Sequence, residues 1–163
     1  MVGIPREGIT VYNTVPIKLA ELKEKLRIRI DQIAEEIRRE ALVDTRERWR
    51  QDIGTGLHHR YPPGIPAYGS PMPNRITVEK PEMTEKGAGF TINAEGADIL
   101  AHEFGLAPNK HVLWGRRGSN SPFLGILPHN ILRTQAMKWG KRFRNKIMML
   151  IRELKMTEGV GEV

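Results

Sequence analysis

The chain has 163 residues, about the length of one domain, and its 39% hydrophobic content favours a folded chain over a disordered one. It contains no cysteine, which excludes disulfide bonds, thiolate nucleophiles and cysteine-ligated metal sites. The longest plainly apolar run, Ile147 to Ile151, is far shorter than the ~20 residues that a membrane span needs, and the N-terminus lacks the layout of a secretory signal. We therefore expect a soluble protein of a reducing compartment, with no membrane partner.

The formal net charge of +7 is concentrated near the C-terminus. Between Pro128 and Met156 the sequence has eight basic residues and one acidic residue, whereas positive and negative charges balance in the rest of the chain. An excess of one sign on one segment indicates a polyanionic neighbour, of which nucleic acid is the commonest.

We expect residues 1–15 to form an N-terminal arm and residues 16 to about 50 to form one long helix. Asn13 or Thr14 can cap this helix, and Pro16 fits its first turn. A helix of about 35 residues would be about 50 Å long, more than a single core of this size requires, so we expect it to contact another copy of the protein. The apolar positions that recur every three or four residues are Leu19, Leu22, Leu26, Ile30, Ile33, Ile37 and Ala41.

The middle of the chain contains a proline- and glycine-rich stretch followed by short strands. Residues 54–73 hold five prolines and four glycines, which predicts a stiff loop or arm without strand pairing of its own. Residues 75–80 and 89–94 each predict a strand of a small antiparallel sheet, joined by a turn-like segment. Residues 97–104 fit a helix or a strand equally well, and residues 110–114 predict a further strand.

A second amphipathic helix is predicted near the C-terminus, before a flexible tail at residues 157–163. The fold is therefore expected to be α+β, with a single domain over residues 16–156. The apolar face of this C-terminal helix consists of Leu132, Ala136, Trp139, Phe143, Ile147, Leu150 or Ile151, and Leu154. The basic side chains expected to face DNA or an acidic partner are Lys138, Lys141, Arg142, Arg144 and Lys146.

Sequence motifs for catalysis and for metal binding are absent. His102-Glu103 is not completed to the H-E-x-x-H pattern of zinc proteases, and neither a phosphate-binding glycine loop nor a nucleophile elbow occurs. We therefore expect no enzymatic activity and no cofactor, and a small nuclease using His102 and Glu103 ranks as the third hypothesis.

Three short motifs, in this order, resemble a known family. They are Tyr61-Pro-Pro-Gly-Ile-Pro66 after the first long helix, Ala97-Asp-Ile-Leu-Ala-His-Glu-Phe-Gly105, and Ser121-Pro-Phe-Leu124 before the last helix. Together they resemble the tail-completion or neck proteins of long-tailed bacteriophages, the small components that join head and tail. Asp98 stands where that family usually has an aromatic residue.

The resemblance implies a structural virion protein that forms a homo-oligomeric ring at the head–tail junction, around the passage of the DNA. It would be assembled in the host cytoplasm, and its neighbours would be head-completion and tail-terminator or tail-tube proteins, with possible non-specific contact with packaged DNA. The residues that it implies at subunit or partner interfaces are Pro62, Pro63, Gly64, Pro66, Glu103, Phe104, Gly105, Pro122 and Phe123.

Two alternatives stay open at the level of sequence. The runner-up function is a free nucleic-acid-binding protein that uses the basic helix without reading base sequence. Glu103-Phe104-Gly105 fits either an anchor for a neighbouring subunit or an ordinary corner of the core, because both use the same residue types.

Overall fold

The computed structural model describes the backbone of residues 5–13, 24–56, 70–84, 86–106, 109–113, 122–123 and 125–159. Within these ranges it describes the side chains of residues 5–12, 26–56, 70–84, 86–106 and 125–154. In chain order the elements are β1 (Arg6–Asn13), α1 (Glu24–Asp52), β2 (Ile76–Val78), β3 (Glu82–Thr84), β4 (Gly87–Glu95), α2 (Ala97–Phe104), β5 (Asn109–Leu113), β6 (Pro122–Phe123) and α3 (Ile131–Gly159). The described residues thus form three α-helices, a four-stranded antiparallel sheet and a separate pair of strands, β5 and β6. The α+β class and the small antiparallel sheet are confirmed.

Strand β4 is the centre of the sheet. β1 pairs with it over eight residues, from Arg6 opposite Glu95 to Asn13 opposite Ala88. β2 and β3 also pair with β4, each over three residues. Because a strand has two edges and β1 occupies one of them, β2 and β3 divide the other edge between them.

The sheet has one apolar face and one polar face, as the period of two in β4 requires. Phe90, Ile92 and Ala94 are fully buried on the inner face. On the outer face the hydroxyl groups of Thr10 and Thr91 form a cross-strand hydrogen bond of 2.6 Å. The core therefore lies on one side of the sheet only.

Helices α1 and α3 cover the inner face of the sheet and pack against each other. Trp49, near the end of α1, is fully buried, and its Nε1 donates a hydrogen bond to the Met72 sulfur at 3.4 Å. The buried apolar residues that the two helices contribute include Ala34, Ile37, Ala41, Leu132, Ala136, Trp139, Phe143 and Ile147. Their spacing of three and four residues matches the amphipathic pattern that predicts the two helices.

The predicted N-terminal arm is partly a sheet strand. Residues 6–13 form β1, in which Ile9 and Val11 are half-buried while Thr10 and Tyr12 are exposed. Alternation of half-buried and exposed residues suits a strand that pairs along the free edge of β4. Over eight residues, such alternation predicts a strand. Asn13 therefore belongs to β1, and Thr14 lies outside the described residues.

The long N-terminal helix agrees with α1 in part. α1 ends at Asp52, close to the predicted end, and its first described residue is Glu24, so the predicted start at Pro16 lies outside the described residues. At the other end of the chain, α3 continues to Gly159, beyond residue 156, the predicted end of the domain.

Three further expectations concern the middle of the chain. The segment predicted to be a turn between the strands contains β3, and residues 97–104 form the helix α2. Residues 57–69 of the proline-rich stretch, with Pro62, Pro63, Gly64 and Pro66, lie outside the described residues. The two flanks of that stretch meet, because the Met72 N–H donates to the Thr55 carbonyl at 2.7 Å.

Candidate functional site

The corner between α2 and α3 is held together by the side chain of Glu103. This residue is fully buried, and its carboxylate accepts hydrogen bonds from the backbone N–H groups of Leu132 and Arg133, both at 2.9 Å. These N–H groups belong to the first turn of α3, where no intrahelical acceptor exists and where the helix dipole favours a negative charge. Glu103 is therefore an N-terminal cap that ties α2 to α3.

Gly105 is required by the backbone at the same corner. Its φ is +85°, and a Cβ at this position would come within 2.9 Å of the Pro128 ring and 3.0 Å of the Ile126 carbonyl. The close approach arises because Leu106 and Ile126 form an antiparallel bridge directly beyond it. A side chain would be strained by the dihedral angle and obstructed by the neighbouring segment.

Phe104, between these two residues, lies at the surface with 51% of its area exposed. Leu127 follows Ile126 on the bridged segment and is 85% exposed. Glu103 and Gly105 thus have internal roles, whereas Phe104 leaves half of its apolar side chain exposed. Of the two interpretations of this motif, a core corner fits Glu103 and Gly105, and an anchor fits Phe104.

The other end of α2 is held by a buried ion pair between Arg75 and Asp98. The guanidinium donates to both carboxylate oxygens at 2.6 Å, and the side chains are only 9% and 5% exposed. Asp98 Oδ1 also accepts the N–H of Ile99 at 2.8 Å, and Arg75 donates to the Glu95 carbonyl at 2.9 Å. Gly96 has a φ of +122°, and a Cβ there would collide with the Arg75 guanidinium.

Sequence reasoning did not find this ion pair. The available signal was Asp98 itself, an acid in the first turn of a short apolar segment and a departure from the aromatic residue usual in the family. Each end of α2 thus carries a buried carboxylate that is bonded to another group of the fold, Asp98 to Arg75 and Glu103 to the start of α3.

The predicted basic face of α3 divides into two parts. On the side facing α1, the Asp44 carboxylate accepts hydrogen bonds from Gln135, Lys138 and Trp139 at 3.0, 2.8 and 2.8 Å. Burial raises the pKa of the Asp44 carboxyl, but these three hydrogen bonds outweigh it and hold the pKa below its ordinary value of 3.8.

The remaining basic residues on that side also have neighbours within the chain. Lys146 lies 3.4 Å from Glu36, and the Arg142 guanidinium lies 5.1 Å from the centre of the Trp139 ring. A groove of about 670 Å³ runs along this seam between α1 and α3. Lys138 and Lys146 are therefore neutralised by carboxylates of α1, which the sequence pattern of α3 alone does not show.

Lys141 and Arg144 lie on a different side of α3. Lys141 is exposed and makes no ion pair with the residues that the structure describes. Arg144 is half-buried, and its Nη1 lies 3.5 Å from the amide oxygen of Asn145. The five basic residues predicted as one face thus belong to two surfaces.

The remaining predicted site residues and the nuclease hypothesis can be placed as follows. Pro122 and Phe123 form β6, which pairs with β5, and their side chains lie outside the described set. The rings of His102 and His129 are 5.3 Å apart. Because both oxygens of Glu103 accept backbone hydrogen bonds in a fully buried position, this carboxylate is not available as the acid or base that a nuclease would need.

No metal centre is visible in the described part of the chain, where no three His, Asp or Glu residues lie close enough to hold an ion. None of the described helices is both long and apolar enough to cross a membrane. Comparison with known protein families, with curated proteins and with solved structures found no match for this chain.

Proposed function

We propose that this chain is a non-enzymatic structural subunit of the neck of a long-tailed bacteriophage. In this role it forms a homo-oligomeric ring at the head–tail junction of the virion, around the DNA passage, between head-completion and tail-terminator or tail-tube proteins. The order of the three motifs at residues 61–66, 97–105 and 121–124 supports this role. The single observation that carries it is the exposure of Phe104 on a rigid corner.

An exposed apolar side chain is by itself ordinary, so the frame around Phe104 matters. Its predecessor, Glu103, is bonded to the start of α3, and its successor, Gly105, is fitted against Pro128. Phe104 therefore sits on a backbone that cannot shift freely, and a rigid aromatic residue loses little conformational entropy when a partner covers it. Aromatic residues in such positions commonly dominate the binding energy of an interface.

A ring needs a heterologous contact, in which one surface of a subunit meets a different surface of the next. Phe104 and Leu127 would supply the first of these surfaces. Helix α1 and the segment with Pro62, Pro63, Gly64 and Pro66 are the proposed contributors to the second.

The test compares Phe104→Ser with Met149→Ser, because Met149 on α3 is 58% exposed and thus a matched control. Light scattering of the full chain should show an oligomer for the wild type and for Met149→Ser. Phe104→Ser should weaken association by about 30-fold or more, the size of a hot-spot loss of ~2 kcal/mol. The melting temperature of the subunit should change little in either variant, because both side chains are at the surface.

Two results would contradict the proposal. One is a wild type that stays monomeric both alone and with the proteins encoded beside it. The other is an oligomer that Phe104→Ser and Met149→Ser affect equally, since the corner would then have no special part in assembly.

A second candidate function is a free nucleic-acid-binding protein without sequence preference. The observation that favours it is the exposed Lys141, which no described carboxylate neutralises. A chain that binds duplex DNA in a salt-dependent way while remaining monomeric would support this candidate over the ring.

A further inference from the structure

The side of α3 that faces away from α1 carries a row of basic residues. At about 100° per residue, positions 133, 141, 144 and 152 fall within an arc of roughly 100°. Arg133, Lys141 and Arg152 are exposed, and Arg144 is half-buried. We call Arg133, Lys141, Arg144 and Arg152 the outer stripe.

The side of α3 that faces α1 is identified by its contacts. Lys138 is bonded to Asp44 and Lys146 lies beside Glu36, both on α1. In the outer stripe, by contrast, Arg133, Lys141 and Arg152 form no ion pair with any described residue. Arg133, Lys141 and Arg152 therefore carry positive charge that no described carboxylate neutralises.

The shape of the outer stripe fits an extended polyanion. Arg152 lies nineteen positions after Arg133, so the outer stripe is about 28 Å long on a straight helix. One strand of B-DNA places a phosphate every ~3.4 Å along the axis, so this length corresponds to about eight base pairs. Between the basic residues lie Met137, which is exposed, and Met148, which packs against the core, and neither adds a charge.

The chemistry favours DNA over an acidic protein. Cores of protein–protein interfaces are depleted in charged residues, yet Lys141 and Arg144 occupy the middle of the outer stripe. Surfaces that bind DNA are polar and strongly positive, which describes this side of α3.

We propose that the outer stripe binds the phosphate backbone of double-stranded DNA without reading base sequence. This inference rests on the proposed function, since it names the surface by which a ring of these subunits would contact the DNA in its passage. It also corrects the set of contact residues: Arg133 and Arg152 join Lys141 and Arg144, whereas Lys138, Arg142 and Lys146 belong to the seam with α1.

The experiment uses two triple variants of the full chain that each remove three positive charges. The first, Arg133→Gln/Lys141→Gln/Arg152→Gln, removes charge from the outer stripe. The second, Lys138→Gln/Arg142→Gln/Lys146→Gln, is the matched control on the seam. The probe is a fluorescent 30-base-pair duplex of arbitrary sequence, with binding followed by anisotropy from low to high NaCl.

The wild type should bind with an affinity that falls linearly with salt on logarithmic axes. The slope should shrink by about 0.9 for each phosphate that the variant no longer neutralises, so by up to ~2.7 in the outer-stripe variant, whereas the seam variant should keep most of the wild-type slope. The cap of α3 is preserved in the first variant, because Glu103 binds the backbone N–H of Arg133 and not its side chain. Lys141→Gln alone serves as a second variant should either triple variant fail to fold.

Equal weakening of DNA binding in the two triple variants would overturn the inference, because binding would then follow net charge and not this surface. Wild-type protein that binds poly-glutamate more tightly than the duplex, or that shows no salt-dependent binding, would overturn it too. Light scattering on the same samples distinguishes a failure of DNA binding by the outer stripe from a failure of ring assembly. An intact ring without outer-stripe binding rejects the stripe alone, and monomeric wild type with outer-stripe binding rejects the ring alone.

Discussion

The two ends of α2 and the seam between α1 and α3 are both built on carboxylates, but their surroundings differ. At α2, Asp98 and Glu103 are almost inaccessible to solvent, and each oxygen of both carboxylates accepts a hydrogen bond. At the seam, the Lys138 and Asp44 side chains are 52% and 37% exposed. Water and salt screen an exposed pair, whereas a buried pair cannot lose one partner without leaving a charge or donors unsatisfied.

This difference separates charged groups that maintain the fold from those that set the surface. The α2 carboxylates position the corner from which Phe104 projects. The seam contacts pair Lys138 and Lys146 with carboxylates of α1, whereas Arg133, Lys141 and Arg152 form no ion pair with any described residue.

The largest effect is expected at the buried ion pair. Asp98→Ala should lower the free energy of unfolding by about 3–5 kcal/mol, because the Arg75 guanidinium stays buried without its counter-charge. Urea unfolding at pH 7 measures this. The double variant Arg75→Leu/Asp98→Leu removes both charges and should be less destabilised than Asp98→Ala. If Asp98→Ala were as stable as the wild type, the buried ion pair would contribute no more to stability than the exposed pair at the seam, and the distinction between the two regions would be lost.

A smaller loss of stability is expected at the cap of α3. Glu103→Ala should lower the free energy of unfolding by about 2–3 kcal/mol, because two N–H groups at the start of the helix lose their acceptor. Glu103→Gln retains one carbonyl oxygen and should lose about half as much. If the two variants unfold at the same urea concentration as the wild type, the cap does not hold the corner.

At the seam we expect an effect of about 1 kcal/mol for Asp44→Asn at pH 7, reduced by the partial exposure of the pair. Since folding lowers the pKa of Asp44, its contribution is fully present above the ordinary value of 3.8 and is lost as the pH falls through the lower folded-state pKa. The stability difference between wild type and Asp44→Asn should therefore narrow from pH 7 to pH 3. A difference that widens on acidification would contradict this sign.

The smallest effect on stability is expected at Glu35, a half-buried residue whose ion pairs lie within α1. The Arg38 guanidinium, 2.6 Å away, and Arg39, 3.2 Å away, hold the pKa of the Glu35 carboxyl at about 2. NMR titration should show this pKa, and Arg38→Ala should raise it towards the ordinary value of 4.5. Glu35→Gln should nevertheless shift unfolding less than any variant above, because its ion pairs join residues three and four positions apart on one helix and do not link separate elements of the fold. A larger shift than that of Asp44→Asn would show that ion pairs within α1 contribute more to stability than the contacts between α1 and α3.

Several features of the fold could be predicted because their signal is local. The apolar residues of α1 and α3 recur every three or four positions, and the residues of β4 alternate, since each helix or strand buries one face. The strand β1 has the same kind of signal in Ile9 and Val11, although the sequence analysis assigns this short segment near the chain end to an arm. Residues 97–104 are too short for periodicity to decide, and their long-range contacts with Arg75 and α3 are not visible in the sequence.

The sequence predicts the residue types of the candidate site but not the role of each residue. The corner at Glu103, Phe104 and Gly105 and the basic C-terminal helix are visible in the sequence, but the division of roles within each is not. Glu103 could not be distinguished from an interface residue, because its acceptor role depends on N–H groups 29 and 30 residues further along the chain.

By itself, the sequence determined the α+β class, the buried faces of the two long helices and the segment that carries the net charge, because these follow from spacing and composition over short windows. Tertiary structure alone decided which charges are neutralised and which apolar residues stay exposed. Asp44 and Lys138 are 94 residues apart in the chain, and only the packing of α1 on α3 brings them to 2.8 Å. The physical reason is that the Coulomb and hydrogen-bond energy of a charged group depends on its distance to partners in space, whereas helical and strand periodicity depends on neighbours in sequence.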